Sequence, residues 1–188
     1  MPPPEVLAPL AERWPAWRSA HPGLTWPPPE RWHITIAYLG AITAGQRHRL
    51  SAALAPLASA TAPLPARLAG SGAFPSPALA RVLWVGLVAP GLEALAGAVR
   101  AAAVDARIQH DPQPFTAHIT IARGRRDLPV SDVPHLLRKL SVADGAAWEI
   151  TRLVLMESTG GPHPAYTERA SWQLIGLIGD GDVRDGEQ

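Results

Sequence analysis

The sequence predicts an α+β fold built from antiparallel sheets. Helical stripes of apolar residues alternate along the chain with short runs rich in β-branched residues. The spacing between those runs is short enough for hairpins, which favours antiparallel pairing. Of the 188 residues 47% are hydrophobic, enough for a packed core. We therefore expect one domain over residues 1–178, followed by an acidic, glycine-rich tail over 179–188 that is frayed.

The first half of the chain predicts alternating helices and strands. Prolines at its start and an apolar stripe from Val6 to Trp17 predict a helix over residues 4–19, although Pro15 lies inside it. The later elements follow the same two patterns: a strand over 32–38, a helix over 44–60, strands over 66–74 and 81–88, and a helix over 91–106.

The second half repeats this order of elements. A strand over 117–123 is followed by a short helix near 131–140 and by strands near 148–157 and 170–178. Proline-rich stretches between the elements predict loops, and none is long enough to separate independent domains.

Composition excludes several classes of function. A net charge of +1 is too small for a long electrostatic track along nucleic acid, so RNA recognition would have a small footprint. The chain has no cysteine, which excludes disulfides and thiolate metal sites. The N-terminus lacks the pattern of a secretory signal, and no apolar run is long enough for a membrane span. We expect a cytoplasmic monomer that does not bind membranes.

One tetrapeptide occurs twice and contains the candidate catalytic residues. The sequence His-Ile-Thr-Ile begins at His33 and again at His118. Each copy is rich in β-branched residues and predicts a short strand, in which residues i and i+2 face the same way. The histidines therefore share a face with Thr35 and Thr120, respectively. If the two faces meet, two imidazoles and two hydroxyls surround one small ligand, which predicts an acid/base site.

Both copies, with their flanks, resemble the 2H phosphoesterases, specifically the LigT-like RNA 2′,3′-cyclic phosphodiesterases, also called 2′-5′ RNA ligases. One motif alone is weak, but two in this order with a matching strand between them are specific. The similarity covers most of residues 24–178. Its blocks are Trp32 to Gly40, Arg81 to Leu87, Phe115 to Arg123, Leu155 to Ser158, and Tyr166 together with Trp172 to Leu174.

The resemblance implies two pseudo-symmetric lobes, with antiparallel sheets flanking a central cleft and helices on the outside. Two positions depart from the family pattern. Ala117 stands where the family has proline before the histidine. The chain also starts at Pro2 to Pro4, where a leading strand of the family would already have ended. Two expectations stay open: the true start lies upstream, or the N-terminal strand is missing and one sheet has an exposed edge.

The resemblance also implies the roles of the residues. His33 would donate a proton to the leaving O3′ and His118 would accept one from water, an order that the residues alone do not assign. Thr35 and Thr120 would bind the nonbridging phosphoryl oxygens. Arg123 could add positive charge, but a regular strand would turn it to the face opposite His118. Neither a metal nor a cofactor is required.

Each of these assignments has a simpler alternative. The two histidines could be hydrogen-bonded core residues, and the two threonines could be ordinary strand formers. Arg123, with Arg125 and Arg126, could be a solvated basic turn rather than a contact to RNA phosphate. The remaining histidines lack a threonine partner and are expected on the surface: His21, His48, His110, His135 and His163.

Phe115, just before the second motif, is the best candidate for stacking a nucleobase, as RNA ends are often held in this way. Trp26, Phe74 and Tyr38 are further candidates, although for any one of these rings, Phe115 included, packing in the core is the simpler expectation. Trp84 lies in an apolar strand and is expected in the core.

The predicted function is hydrolysis of an RNA-terminal 2′,3′-cyclic phosphate to a 2′-phosphomonoester at RNA 3′ ends. Three alternatives stay open at this point. The same residues could act as a 2′-5′ RNA ligase or on 2′-5′ oligonucleotides, could cleave a small cyclic nucleotide, or could form a module that binds RNA ends or a nucleotide without turnover.

Overall fold

The computed structural model describes residues 1–109, 113–124, 132–141, 145–159 and 165–177. Contacts divide the chain into two compact units. The first comprises Met1–Tyr38, Leu64–Gly97 and Asp111–Ile150, and the second comprises Leu39–Pro63, Ala98–His110 and Thr151–Gln188. Both contain helices and antiparallel strands, so the predicted α+β class is confirmed. A single domain over 1–178 stays a prediction, and the predicted tail over 179–188 lies outside the described residues.

The first unit begins with two helices, α1 (Pro4–Ala11) and α2 (Trp14–Ala20). The prediction of one helix over 4–19 is therefore wrong. Pro15 is the reason: proline has no N–H for the ladder and its ring clashes with the carbonyl four residues earlier. In the first turn of a new helix these features cost little, and that is where Pro15 lies.

The first unit contains a five-stranded antiparallel sheet with the strand order β1-β4-β3-β2-β5. Its strands are β1 (Leu24–Thr25), β2 (Leu64–Phe74), β3 (Val82–Val88), β4 (His118–Gly124) and β5 (Ala147–Ile150). Two 310 helices, Pro29–Arg31 and Pro77–Leu79, lie in its connections. Strands β2, β3 and β4 confirm the expectations for 66–74, 81–88 and 117–123.

One face of this sheet is the core of the unit. Leu83, Val85 and Ile119 point to this face and are almost completely buried. Helix α5 (Val133–Leu140) contacts β2 and β3. The Ser71 hydroxyl donates to the Leu137 carbonyl over 2.8 Å, which fixes the helix to β2. The opposite face of the sheet carries the motif side chains.

The first His-Ile-Thr-Ile copy does not form the predicted strand over 32–38. It meets the sheet at one isolated antiparallel bridge, between Ile34 and Ile119 of β4. A β-branched run favours extended backbone, but a strand also needs a partner along its length. Strand β1 pairs with the other end of the same edge of β4, so the copy pairs at this single position.

The second unit contains α3 (Ala44–Ala60) and a two-stranded sheet of β6 (Arg152–Ser158) and β7 (Tyr166–Gln173). Helix α4 (Leu92–Asp105) is divided between the units. The predicted strand 148–157 is two strands, since the chain changes partner from β2 to β7 at Thr151. The predicted strand 170–178 begins earlier and ends at Gln173. Within the described ranges, no helix has the length and apolar character to cross a membrane.

Candidate active site

The two motif copies lie side by side in the first unit, joined by the antiparallel bridge between Ile34 and Ile119. Extending that register by one residue each way places each histidine opposite the threonine of the other copy. Residues directly opposite each other in an antiparallel pair share a face. The four side chains singled out by the repeat therefore share one face: His33, Thr35, His118 and Thr120.

Both histidines use the same nitrogen to hold their rings in place. Nδ1 of His33 lies 2.7 Å from the Arg31 carbonyl oxygen, and Nδ1 of His118 lies 2.7 Å from the Thr116 carbonyl oxygen. A carbonyl oxygen only accepts, so Nδ1 must carry the hydrogen in both rings. In each neutral imidazole Nε2 then has the lone pair, which makes Nε2 the nitrogen suited to proton transfer.

Burial lowers the pKa of His33 below its ordinary value of 6.5. The hydrogen bond to the Arg31 carbonyl opposes this shift, because it stabilises the charged ring. The N-terminal ammonium group and the guanidinium groups of Arg123 and Arg31 lower the pKa further. His33 therefore lies in a positively charged environment suited to a bound anion.

Burial is also the largest cause of a lowered pKa at His118. The bond to the Thr116 carbonyl raises the pKa, while the charge of Arg123 and the neighbouring His33 lower it. The neighbouring His33 therefore adds to the positive surroundings that lower the pKa of His118.

An aromatic wall formed by Phe74 and Trp84 shields His118. The Phe74 ring meets the His118 ring edge-on with centroids 4.9 Å apart, and the Trp84 ring lies 6.0 Å away. Trp84 is half-buried on the histidine face, so its expected place in the core is wrong. The indole lies over Gly72 of β2, where an added Cβ would be 2.1 Å from Trp84 Cζ2. Glycine inside a strand marks such close approaches, and that signal was available in the sequence.

Arg123 lies on the same face as His118, contrary to expectation. Strand β4 has one more residue than β3 in their ladder, since Ile121 falls between the paired residues Thr120 and Ala122. An extra residue shifts the alternation of faces by one position. The guanidinium charge of Arg123 consequently lowers the pKa of both motif histidines.

The remaining aromatic candidates lie in different surroundings. Phe115 is half-buried, and its role in base stacking stays a prediction. Trp26 is buried and packs against Trp17 with ring centroids 6.2 Å apart, which makes it a core residue. Tyr38 is exposed.

The other candidate histidines and arginines differ in exposure or lie outside the described residues. His48 and His135 are exposed as expected, whereas His21 is half-buried. His110, His163, Arg125 and Arg126 lie outside the described residues.

The sequence model of the 2′-5′ RNA ligase superfamily matches residues 2–162. A protein of Thermus thermophilus named RNA 2′,3′-cyclic phosphodiesterase is 32% identical over 186 residues, which cover 94% of this chain and 88% of that protein. The chain belongs to the 2′-5′ RNA ligase superfamily. This confirms the family predicted from the paired motifs.

A relative of the same name from Geobacillus stearothermophilus is 33% identical over 171 residues, or 90% of this chain. The chain spans about half (52%) of that relative's length.

Solved structures share the fold. A crystal structure of a Thermus thermophilus protein superposes with a TM-score of 0.77 at 30% identity, covering 94% of this chain and 96% of that one. Escherichia coli LigT complexed with 3′-AMP superposes with a TM-score of 0.65 at 22% identity, covering 89% and 92%.

Proposed function

We propose that the protein hydrolyses RNA-terminal 2′,3′-cyclic phosphate to a 2′-phosphomonoester by two-histidine acid/base catalysis. The observation that carries the proposal is the matched Nδ1 bonding, which leaves Nε2 as the reactive nitrogen of both rings on one face. The relatives named RNA 2′,3′-cyclic phosphodiesterase support the substrate class.

In the proposed step a water oxygen attacks phosphorus and the bond from phosphorus to O3′ breaks. Nε2 of His118, which starts neutral, takes the proton of the water, and Nε2 of His33, which starts as the charged imidazolium, gives its proton to O3′. The product carries a 2′-phosphate and a 3′-hydroxyl. At the end His33 is neutral and His118 is charged, and exchange with solvent restores the starting state. Each such proton transfer contributes typically about 10²–10⁴-fold to the rate.

In the proposal Thr35 and Thr120 donate to the nonbridging phosphoryl oxygens, a role supported by their register opposite the two histidines. Arg123 adds a full positive charge close to both rings. Charge on phosphate oxygens must be held through the transition state, and donors fixed in advance do this most effectively.

The proposed reaction needs no metal ion. Within the described ranges, no group of three His, Asp or Glu side chains converges on one point. Two imidazoles without a carboxylate are a poor donor set for a divalent cation.

The test is product analysis on a short RNA ending in 2′,3′-cyclic phosphate, with EDTA present. We expect a terminal 2′-phosphate, formed at the same rate with and without EDTA. The matched control is the double variant His33→Ala/His118→Ala, which should give no product. A 3′-phosphate product would contradict the assigned leaving group, and inhibition by EDTA would contradict metal independence.

The superfamily name makes ligation a second candidate, since a 5′-hydroxyl can replace water as the nucleophile. The same residues would serve both reactions. Adding an RNA with a 5′-hydroxyl to the assay distinguishes them, because ligation predicts a longer product at the expense of the 2′-phosphate. A module that only binds RNA ends would give neither product.

A further inference from the structure

A second positively charged site lies in the first unit, in an open groove between α2 and α5. The groove has a volume of about 500 Å³. Arg13, Trp17 and His21 line it from the side of α2, and Arg138 and Lys139 line it from the last turn of α5. Sequence analysis assigned no function to these residues.

Among the described residues, the side chains that line the groove carry positive charge without an acidic neighbour in the lining. Arg13, Arg138 and Lys139 are all exposed, and they are not the arginines of the ion pairs Arg152–Glu168 and Arg169–Glu157. A net charge of +1 for the whole chain therefore conceals a local concentration of positive charge.

The groove and the first motif are attached to one loop. Trp14 of α2 donates its indole N–H to the Pro27 carbonyl over 2.9 Å. Trp32, the residue before His33, donates to the same carbonyl over 3.0 Å. Helix α5 contacts the face of the sheet opposite the histidines, so the groove is distinct from the candidate active site.

We propose that this groove binds backbone phosphates of single-stranded RNA, upstream of the reacting 3′ end. The proposal rests on the proposed function for its choice of polyanion. Exposed arginine and lysine side chains without acidic partners suit phosphodiester groups, which are contacted without regard to base sequence. The groove would thus increase affinity for longer substrates and leave a lone nucleotide unaffected.

The test uses two triple variants that each remove three positive charges. The groove variant is Arg13→Gln/Arg138→Gln/Lys139→Gln, and the control variant, with its changes outside the groove, is Arg47→Gln/Arg67→Gln/Arg152→Gln. Binding of a labelled RNA of about twelve nucleotides with a 3′-hydroxyl is followed by fluorescence anisotropy at several salt concentrations. The logarithm of the binding constant falls linearly with the logarithm of the salt concentration, and each phosphate contact to a single strand contributes about 0.7 to the steepness of this slope. The loss of three contacts should therefore make the slope shallower by about 2. Between 50 and 200 mM salt the wild type should lose about 20-fold more affinity than the groove variant.

The second arm measures turnover of a nucleoside 2′,3′-cyclic phosphate, which we expect to be equal in both variants and the wild type. Unchanged RNA binding in the groove variant, or an equal loss in the control variant, would overturn the proposal. The proposal would also be overturned if the wild type bound a poly-glutamate peptide as tightly as the RNA, because the groove would then suit an acidic protein. RNA binding is measured without hydrolysis, so it tests the groove alone. Turnover of the nucleoside 2′,3′-cyclic phosphate tests the proposed catalysis alone.

Discussion

The two copies of His-Ile-Thr-Ile have the same sequence but different structural support. The copy at His118 is a strand, paired with β3 along one edge and backed by Phe74 and Trp84. The copy at His33 joins the sheet through the single bridge at Ile34. Both nevertheless bind Nδ1 to the carbonyl two residues earlier. A local hydrogen bond therefore fixes the reactive nitrogen in either setting, while the surroundings set the environment of each ring.

The largest expected effect tests whether the two copies are equivalent in catalysis. His33→Ala and His118→Ala should each lower kcat by at least about 100-fold, because each removes one proton transfer. Steady-state kinetics on a cyclic-phosphate RNA measures the loss, and circular dichroism checks that the fold is kept. Near-normal turnover in one of the two variants would show that only one copy is catalytic.

The threonines test the same equivalence at the phosphoryl oxygens. Thr35→Val and Thr120→Val should each lower kcat by about 100-fold with little change in KM, since these hydrogen bonds strengthen in the transition state. The serine variants keep the hydroxyl and should retain most of the activity. Equal activity of the valine and serine variants would assign the threonines a role in packing only.

The aromatic wall distinguishes the copies, because Phe74 contacts the second histidine. Phe74→Ala removes shielding, so we expect the pKa of His118 to rise towards its ordinary value while that of His33 changes less. Titration of the histidine ring signals by NMR measures both. Phe115→Ala serves as a comparison: it should raise KM by about tenfold if this ring stacks on a base. Equal shifts at both histidines in Phe74→Ala would remove the distinction.

Arg123 acts on both copies and should have the smallest effect. Its charge disfavours protonation of His33 and His118, so Arg123→Gln should raise both pKa values and move the pH profile of kcat/KM to higher pH. Loss of a cation near the phosphoryl group should also lower kcat/KM by about tenfold. Arg123→Lys keeps the charge and should leave the profile in place. A shift at only one histidine would contradict a position close to both.

Sequence patterns predicted the elements whose structure depends on local residues. The helix expected over 44–60 matches α3, where Thr43 and Gln46 form a capping box. The strand expected over 81–88 matches β3, which contributes Leu83 and Val85 to the core. The pairing of each histidine with its own threonine on one face followed from the i, i+2 spacing, and the family followed from the resemblance of both motifs and their flanks. That the two copies lie side by side was only a condition until the Ile34–Ile119 bridge was seen. The helix, the strand and the shared face of each pair arise from periodicity, and periodicity is visible in a sequence.

The features that the sequence did not predict depend on pairing between distant segments. The extra residue in β4 reverses the face of Arg123, and only the ladder with β3 reveals it. The first copy has the residues of a strand, yet β4 offers it one pairing position. Gly72 indicated a close approach in β2, but not that the indole of Trp84 lies over it.

The pH dependence of kcat/KM in the wild type, His33→Ala and His118→Ala tests the two-histidine site most directly. The wild type should give a bell-shaped profile with its maximum below pH 6.5, because the pKa values of His33 and His118 are both lowered in the free protein. His118→Ala should lose the acid limb, where the base becomes protonated, and His33→Ala should lose the alkaline limb, where the acid loses its proton. A bell that persists in either single variant would contradict the account.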